Sequence, residues 1–307
     1  MWCRVIYFEC KSTIMNKIFF EIAFEAELNT KEDPELLALA PELCNENPDT
    51  RMLAITELRK MIVERDEVKP HRTDDEYLIR FLRSRDFIIR RAYRLLVRYH
   101  EFREQYPALQ KGVDLWGLIR TQNVYEGIML DRPDVGRVSI VRWGQWDPSE
   151  VPMEDLLRAG FVGSEIGCRN PKIQILGLTV ILDLEGITLR QTAAVTPSVA
   201  YQIVSLLGAS VPTKIRSCHI INYSWILNTM FYIFKRFIPQ GFWSRIFFHG
   251  SDIKSLHQHI DPECLPTRYG GTCGNNVSFA VWLQKIKKYR DEQFDREMKA
   301  LGYIIKE

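Results

Sequence analysis

Four short apolar segments between residues 138 and 249 have the pattern of β-strands, and helical patterns separate them. The run over residues 175–183 is almost continuously apolar and ends in an acidic residue, and Gly186 follows it, which is typical of a central, buried strand. Thr196 and Pro197 form a good helix start, and this helix is predicted to end at Gly208. Strands that alternate with helices indicate a mostly parallel sheet with helices on its faces. The other predicted strands cover residues 138–143, 218–222 and 245–249.

The N-terminal part of the chain has a helical pattern with short connections. Thr73 and Glu76 fit a capping box, in which Thr73 caps a helix and Glu76 reaches back to its start. A second helix is predicted to run through residues 92–102 and to end before Pro107, and residues 277–299 are predicted to form one charged terminal helix. The first of these helices is expected to bury four apolar residues: Tyr77, Leu78, Phe81 and Leu82.

The composition excludes some classes of protein. A hydrophobic content of 46% and a charged content of 26% are typical of globular proteins. The net charge of +2 is too small for a chain that binds nucleic acid with its whole surface, so any anion site must be a local cluster. The 7 cysteines include no C-x-x-C pair, which indicates reduced thiols and a cytosolic protein.

The hydropathy of the chain predicts neither a bilayer-spanning segment nor a secretory signal peptide. No stretch approaches the ~18–20 uncharged apolar residues that a spanning helix needs. Charged residues interrupt the apolar start of the chain, and a signal peptide needs about 7–15 unbroken apolar residues. Residues 1–15 are expected to be a flexible extension, with the alternative that they are not part of the mature chain.

One apolar stripe runs along residues 226–238. At about 100° per residue its large apolar side chains share one helical face, and Pro239 and Gly241 end the helix. Such a face either packs into an ordinary core, covers a hydrophobic cavity or lies on a lipid surface. Its aromatic content and its flanking cations favour the last two. The stripe consists of Ile226, Leu227, Met230, Phe231, Ile233, Phe234, Phe237 and Ile238.

Other candidate sites each have a simpler structural explanation. The seven arginines between Arg80 and Arg98 form either a solvated basic face or, with cations elsewhere in the chain, a patch for anionic lipids. Asp183 and Glu185 could act as general acid and base, but a structural turn is favoured. The spacing of His257 and His259 points their rings in different directions, so we expect no metal site. No nucleophile, P-loop or cofactor motif occurs, and we predict no enzyme and no cofactor.

Several short motifs occur in order along residues 28–275, and together they are specific. They resemble the signatures of the CRAL-TRIO lipid-binding family, in particular its tocopherol- and retinaldehyde-binding members and their insect relatives. The motifs are Tyr-Leu-Ile-Arg-Phe-Leu-Arg-Ser-Arg-Asp-Phe at 77–87, Trp-Asp-Pro at 146–148, Asp-Leu-Glu-Gly at 183–186, Thr-Pro-Ser-Val at 196–199, His-Ile-Ile-Asn at 219–222, His-Gly at 249–250, Leu-Pro at 265–266 and Tyr-Gly-Gly at 269–271.

The resemblance implies an architecture. An N-terminal all-helical unit (28–112) is followed by an α/β sandwich (113–276) whose mostly parallel sheet encloses a hydrophobic cavity. Residues 1–27 precede these units as an extension, and residues 277–307 follow as a C-terminal helix. A mobile helical gate covers the cavity and matches residues 222–245, the segment that the apolar periodicity identifies independently.

The resemblance also implies a basic cleft beside the gate that binds phosphoinositide headgroups. A gate lysine of the family falls on Gly241 here, and this chain carries Lys235 and Arg236 earlier in the gate instead. The headgroup positions of the family fall on Arg85, Lys214, Arg216 and Arg245.

The cavity-lining positions of the family are mostly aliphatic in this chain, with Ser164 as a polar anchor. Several positions that are aromatic in the tocopherol-binding pocket are aliphatic here, so the shape of the cavity differs and tocopherol itself is not implied. The positions are Leu157, Phe161, Ser164, Leu178, Val180, Leu182, Leu189, Val195, Ile203, Leu206, Leu207, Val211 and Cys218.

We therefore predict a cytoplasmic carrier that binds a small hydrophobic ligand, such as a retinoid, a tocopherol or a similar lipid. It would dock transiently on phosphoinositide-containing membranes, with no nucleic-acid partner, and the sequence does not identify a partner protein. The alternative is an adaptor that docks on the same membranes without transferring a lipid. An enzyme that acts on lipid is the third and weakest hypothesis, since no catalytic set is present.

Overall fold

The structure, a computed structural model, describes Ala23 and residues 27–121, 124–130, 132, 134–223 and 231–306 of the chain. The helices in these ranges are α1 (Pro34–Cys44), α2 (Arg51–Arg65), α3 (Asp75–Ser84), α4 (Ile89–Gln105), α5 (Met153–Gly167), α6 (Pro171–Leu176), α7 (Leu189–Ala193), α8 (Pro197–Val204), α9 (Ile253–His257), α10 (Phe279–Tyr289) and α11 (Glu292–Ala300). The strands are β1 (Tyr125–Ile128), β2 (Arg137–Arg142), β3 (Leu178–Asp183), β4 (Ile215–Ile221), β5 (Ile246–Gly250) and β6 (Asn276–Ser278).

Helices α2, α3 and α4 pack around a core of their own. The four predicted apolar residues of α3 are all buried there, against Leu58 of α2 and Leu96 of α4. The prediction of the cap was wrong by one residue, because the side chain of Asp74, not Thr73, accepts the Tyr77 amide at 3.0 Å. A carboxylate at this position also interacts favourably with the positive end of the helix dipole.

The six strands form one sheet in the order β5-β4-β3-β2-β1-β6. Strands β2 to β5 are parallel, whereas β1 is antiparallel to both β2 and β6. The four strands that the apolar runs predicted are β2 to β5, so the mostly parallel sheet is confirmed. The two antiparallel strands were not predicted.

Two predicted elements are divided differently in the structure. Ile175 and Leu176 belong to α6, not to β3, and Gly177 separates the two elements at a φ of 81° that suits glycine. The predicted terminal helix over 277–299 begins with β6, continues as α10 and breaks before α11. Asp291 causes that break by capping α11, where its side chain accepts the Phe294 amide at 2.7 Å.

Helices and turns cover both faces of the sheet, which confirms the predicted α/β sandwich. On one face, α4, α5 and α10 share a core that includes Phe102, Phe161 and Trp282. On the other face, Leu256 of α9 and Leu265 pack against the strands. None of the helices in the described ranges has the length and hydrophobicity needed to cross a bilayer.

Buried hydrogen bonds and one ion pair join the N-terminal helices to the sandwich. Arg83 of α3 donates to Glu46 at 2.7 Å and to the side-chain oxygen of Gln174 on α6 at 2.8 Å. Arg103 of α4 donates to Glu165 of α5 at 2.8 Å. Removing one partner of such a pair leaves a buried charge uncompensated, which costs about 3–5 kcal/mol. The helical unit is therefore fixed against the sandwich.

Candidate functional site

A cavity of about 570 Å³ lies between the sheet and the helices on one of its faces. Successive side chains of a strand point to opposite faces, so alternate residues of each strand form the floor of this cavity. In β3 these residues are Leu178, Val180 and Leu182, and in β4 they are Cys218 and Ile220. The floor is therefore apolar over its central strands.

Helix α5 makes room for the cavity by presenting small residues. Gly160, Gly163, Ser164 and Gly167 all line it, and their spacing of three or four residues places them on one face of the helix. Larger side chains at these positions would project into the cavity. This glycine pattern was not predicted, although its spacing is visible in the sequence.

Aromatic residues close the cavity on the side where the chain passes from β4 to β5. Phe231, Phe234 and Phe242 line it there, and the ring of Phe231 lies 5.7 Å from that of Trp243 and 6.3 Å from that of Phe248. Ile238 also lines the cavity, whereas Phe237 packs on Tyr201 at a ring distance of 5.7 Å. The predicted gate residues Ile226, Leu227 and Met230 lie outside the described residues.

The structure brings most of the predicted pocket residues together on this cavity. Two come from α5, three from β3 and one from β4, and the rest come from α8 and the turn that follows it. They are Leu157, Ser164, Leu178, Val180, Leu182, Ile203, Leu206, Leu207 and Cys218.

Four predicted pocket residues do not line this cavity, so the prediction was wrong for them. Phe161 is turned away from the cavity and packs on Phe102 at a ring distance of 5.8 Å. Val195 belongs to the core around two tryptophans, and Val211 belongs to the core beneath α4 and α5. Leu189 is 65% exposed, because it is the first residue of the short helix α7 and points to solvent.

Four arginines line the cavity where the N-terminal helices meet the sheet, and we call this group the basic mouth: Arg85, Arg91, Arg98 and Arg245. Arg85 donates to the carbonyl oxygens of Ser84 and Gly208, and Arg245 donates to that of Ile215 at 2.9 Å. Across the described ranges none of the four forms an ion pair with a carboxylate. Burial, together with the positive charges of Arg98 and Arg245, lowers the pKa of Arg85 to about 10. The basic mouth therefore carries positive charge that an anion would balance.

Two other predicted headgroup residues lie outside the basic mouth. Lys214 is buried and donates to the carbonyl oxygen of Leu43 at 2.7 Å, to Asp86 at 2.7 Å and to the carbonyl oxygen of Arg83 at 3.4 Å. These contacts use all three of its ammonium protons. Arg216 donates to the carbonyl oxygen of Leu176 at 2.7 Å, and burial lowers the pKa of its guanidinium. Both side chains connect elements of the protein to one another, so neither offers a free charge at the cavity.

Comparison with known proteins identifies the family of the chain. Residues 133–271 match the CRAL/TRIO domain. Clavesin-1 of Xenopus laevis is 33% identical over 266 residues, which cover 85% of this chain and 80% of that protein. This chain belongs to the CRAL-TRIO family. Clavesin-2 of Homo sapiens is 32% identical over 246 residues, which cover 78% of this chain and 74% of clavesin-2.

A solved structure, the crystal structure of Sfh5, is more distant. It is 13% identical, with a TM-score of 0.48, and the match covers 80% of this chain and 99% of that one. CRAL-TRIO proteins bind and transfer lipids and are not enzymes, so this chain is a lipid-binding protein in that general sense.

Within the CRAL-TRIO region, Asp183 and Glu185 form part of a structural turn, as the sequence predicted. Asp183 is buried and accepts the Tyr269 hydroxyl at 2.7 Å and the Asn222 amide group at 2.9 Å. It also accepts the Glu185 backbone amide at 3.0 Å, as in a tight turn. The Asp-Leu-Glu-Gly and Tyr-Gly-Gly motifs of the family therefore meet through one hydrogen bond.

Two histidines of the CRAL-TRIO domain form a hydrogen-bonded pair that the sequence did not predict. His219 Nδ1 lies 2.9 Å from His249 Nε2, and each ring also contacts a serine hydroxyl at 2.8 Å. Burial, followed by the neighbouring imidazoles, lowers the pKa of His219 to about 4, so the ring is neutral near pH 7. No group of three His, Cys, Asp or Glu side chains in the described part of the chain is placed to hold a metal ion.

Proposed function

We propose that this CRAL-TRIO protein carries a small hydrophobic ligand between membranes, and that it docks on them through the basic mouth. The observation that carries the proposal is the adjacency of two features at one cavity. Arg85 and Arg245 line the same cavity as Phe231, Phe234 and Trp243. Anionic headgroups and apolar chains occur together at a membrane surface, and this side of the protein matches both.

The cavity addresses the main physical obstacle to lipid transfer. A lipid that leaves a bilayer exposes its apolar chain to water, which costs about 0.8 kcal/mol for each CH₂ group. A cavity of about 570 Å³ is large enough for a small hydrophobic molecule, and its floor is aliphatic. A protein that opens at the membrane surface replaces water with this cavity and lowers the barrier to transfer.

The segment after residue 230 has the properties of a gate. Phe231 and Phe234 line the cavity, whereas Lys235 and Arg236 of the same segment are exposed. We propose that the segment swings outward at the membrane, so that its aromatic residues enter the lipid while its cations stay at the headgroups. On closing, the aromatic residues return to the cavity.

The basic mouth supports docking on phosphoinositide membranes in the cytoplasm. Each cation near an anionic membrane surface contributes about 1 kcal/mol of attraction. Arg85 and Arg245 are the predicted headgroup residues that line the cavity, and Arg91 and Arg98 add two exposed charges beside them. Lys214 and Arg216 then have a structural role, because they connect the start of β4 to α3 and α6.

Lipid retention tests the carrier proposal. The purified protein is incubated with a total lipid extract and re-isolated, and its organic extract is analysed by mass spectrometry. One stoichiometric hydrophobic species is the expected result, and it would identify the ligand class. A folded protein that retains no lipid but still binds anionic liposomes would overturn the carrier proposal and support the membrane adaptor.

A further inference from the structure

One cationic residue of the cavity lies outside the basic mouth. Arg137 begins β2, which is three strands away from β5 and Arg245, or roughly 14 Å along the sheet. It shares the cavity face of β2 with Ser139, two residues further on, and both line the cavity. A guanidinium and a hydroxyl thus occur side by side in a cavity that is otherwise largely apolar.

The counter-ion of Arg137 comes from the N-terminal segment of the chain. The Arg137 guanidinium donates to the carboxylate of Glu27, which also accepts the indole N–H of Trp282 at 3.0 Å. Glu27 precedes α1 and lies outside the matched CRAL/TRIO region. Among the described ion pairs, no other carboxylate contacts Arg137.

Two carboxylates, those of Asp86 and Glu126, line the cavity, and both pair with cations from other parts of the fold. Asp86 pairs with Lys214 at 2.7 Å. Glu126 of β1 pairs with Arg142 at 3.3 Å and with Arg268. Arg137 differs from these pairs, because its partner belongs to the segment before α1, outside the sheet.

We propose that Arg137 binds the carboxylate of a long-chain carboxylic acid in this cavity, and that Glu27 competes with the ligand for the same guanidinium. This inference rests on the proposed function, in which the cavity holds a hydrophobic ligand. A buried guanidinium strongly favours a partner of opposite charge, and a ligand carboxylate reproduces the charge and the planar geometry of Glu27. A phosphate monoester would bring about two negative charges to one cation, so the carboxylate is the better match.

Ligand binding would also release the N-terminal segment. Leu28 packs against the main core, and the carbonyl oxygen of Glu27 accepts the Asn170 amide group at 3.2 Å. Displacing the Glu27 carboxylate removes the contacts with Arg137 and Trp282 together. An acid in the cavity should therefore make the chain around residue 27 more accessible to protease, whereas an uncharged ligand should not.

The test uses hexadecanoic acid and hexadecan-1-ol, which share a chain and differ in the headgroup, at about pH 8 where the acid is ionised. Dissociation constants are measured for the full-length protein and for Arg137→Met and Glu27→Gln. We expect Arg137→Met to weaken acid binding about tenfold or more, and Glu27→Gln to tighten it several-fold. Binding of the alcohol should change less than about twofold in both variants. The double variant Glu27→Gln/Arg137→Met removes both charges, so it keeps the test valid if one unpaired charge prevents folding.

The outcomes separate this inference from the proposed function. If wild type binds both probes and Arg137→Met weakens both equally, or if Glu27→Gln weakens the acid, the carboxylate site is wrong but the carrier proposal stands. If folded wild type binds neither probe and retains no lipid, both proposals fall. An acid that binds tightly without exposing the chain near residue 27 to protease would contradict the competition with Glu27.

Discussion

The ammonium group of Lys214 lies 2.7 Å from the carboxylate of Asp86, 128 residues earlier in the chain. This contact joins the end of α3 to the start of β4. A lysine that the family resemblance assigned to headgroup binding thus holds two parts of the fold together. A lysine at a headgroup position of the family can therefore have a structural role in this chain, because the neighbouring groups determine what its ammonium group contacts.

We predict that Lys214→Met destabilises the folded protein. The substitution removes the Lys214 hydrogen bonds to Asp86 and to the Leu43 carbonyl group, so the free energy of unfolding should fall by about 2 kcal/mol. Urea denaturation measures this change, and Lys235→Met, at an exposed lysine, serves as the matched control. Equal stability of the two variants would show that the contacts of Lys214 do not stabilise the fold.

Charge reversal in the basic mouth should weaken docking on anionic membranes. Arg245→Glu changes the local charge by two units, which corresponds to about 2 kcal/mol, or roughly thirtyfold in affinity. Sedimentation with vesicles that contain phosphatidylinositol bisphosphate measures the effect. Arg94→Glu makes the same change at an exposed arginine that does not line the cavity. Similar losses in both variants would indicate a diffuse basic surface instead of a defined site.

A lysine at Gly241 should strengthen docking. Gly241 lines the cavity and has no atom within 4 Å of the position of a Cβ, so a side chain fits there. One added cation near the headgroups contributes about 1 kcal/mol, so the same vesicles should be bound about fivefold more tightly by Gly241→Lys. Gly274→Lys is the control, since Gly274 is equally open but does not line the cavity. An equal gain in the control would contradict a headgroup site at the basic mouth.

The glycines of α5 should control how much ligand the cavity accepts. Gly163 has only Phe279 near a Cβ position, at 3.9 Å, so Gly163→Ala fits and should stabilise the helix by about 1 kcal/mol. Gly163→Leu would extend into the cavity, and we expect it to lower lipid retention by about tenfold while the protein stays folded. Comparing the lipid content of the two variants by mass spectrometry checks this. Full retention in Gly163→Leu would mean that the ligand lies elsewhere.

The fold was predictable where an apolar pattern was compatible with only one kind of secondary structure. Strands β2 and β4, as well as α3 and α8, were found within a few residues. The run over 175–183 was misread at its start, because a short apolar run does not distinguish a strand from a buried helix. Strand β1 contains Glu126 and Gly127 and lacks a strong apolar alternation, so its pairing with β2 and β6, not its own sequence, makes it a strand.

The candidate site was predictable along strands better than along helices and loops. The family resemblance assigned Leu178, Val180 and Leu182 to the pocket; these alternate residues of one strand share a face, and the cavity lies on that face. Phe161 is close in sequence to lining residues of α5, but its side chain faces Phe102 of α4. The partners of Arg137 and Lys214 come from segments about 110 or more residues away, and only the folded chain brings them together.

The aromatic segment after residue 230 is proposed to open the cavity at a membrane. Transfer of a fluorescent lipid between two populations of anionic liposomes measures this opening, for wild type, Phe234→Asp and Leu189→Asp. A carboxylate in place of Phe234 is costly to insert into lipid, whereas Leu189 is exposed and off the cavity. We predict that Phe234→Asp abolishes stimulated transfer and that Leu189→Asp transfers like wild type. Unchanged transfer by a folded Phe234→Asp protein would contradict the gate.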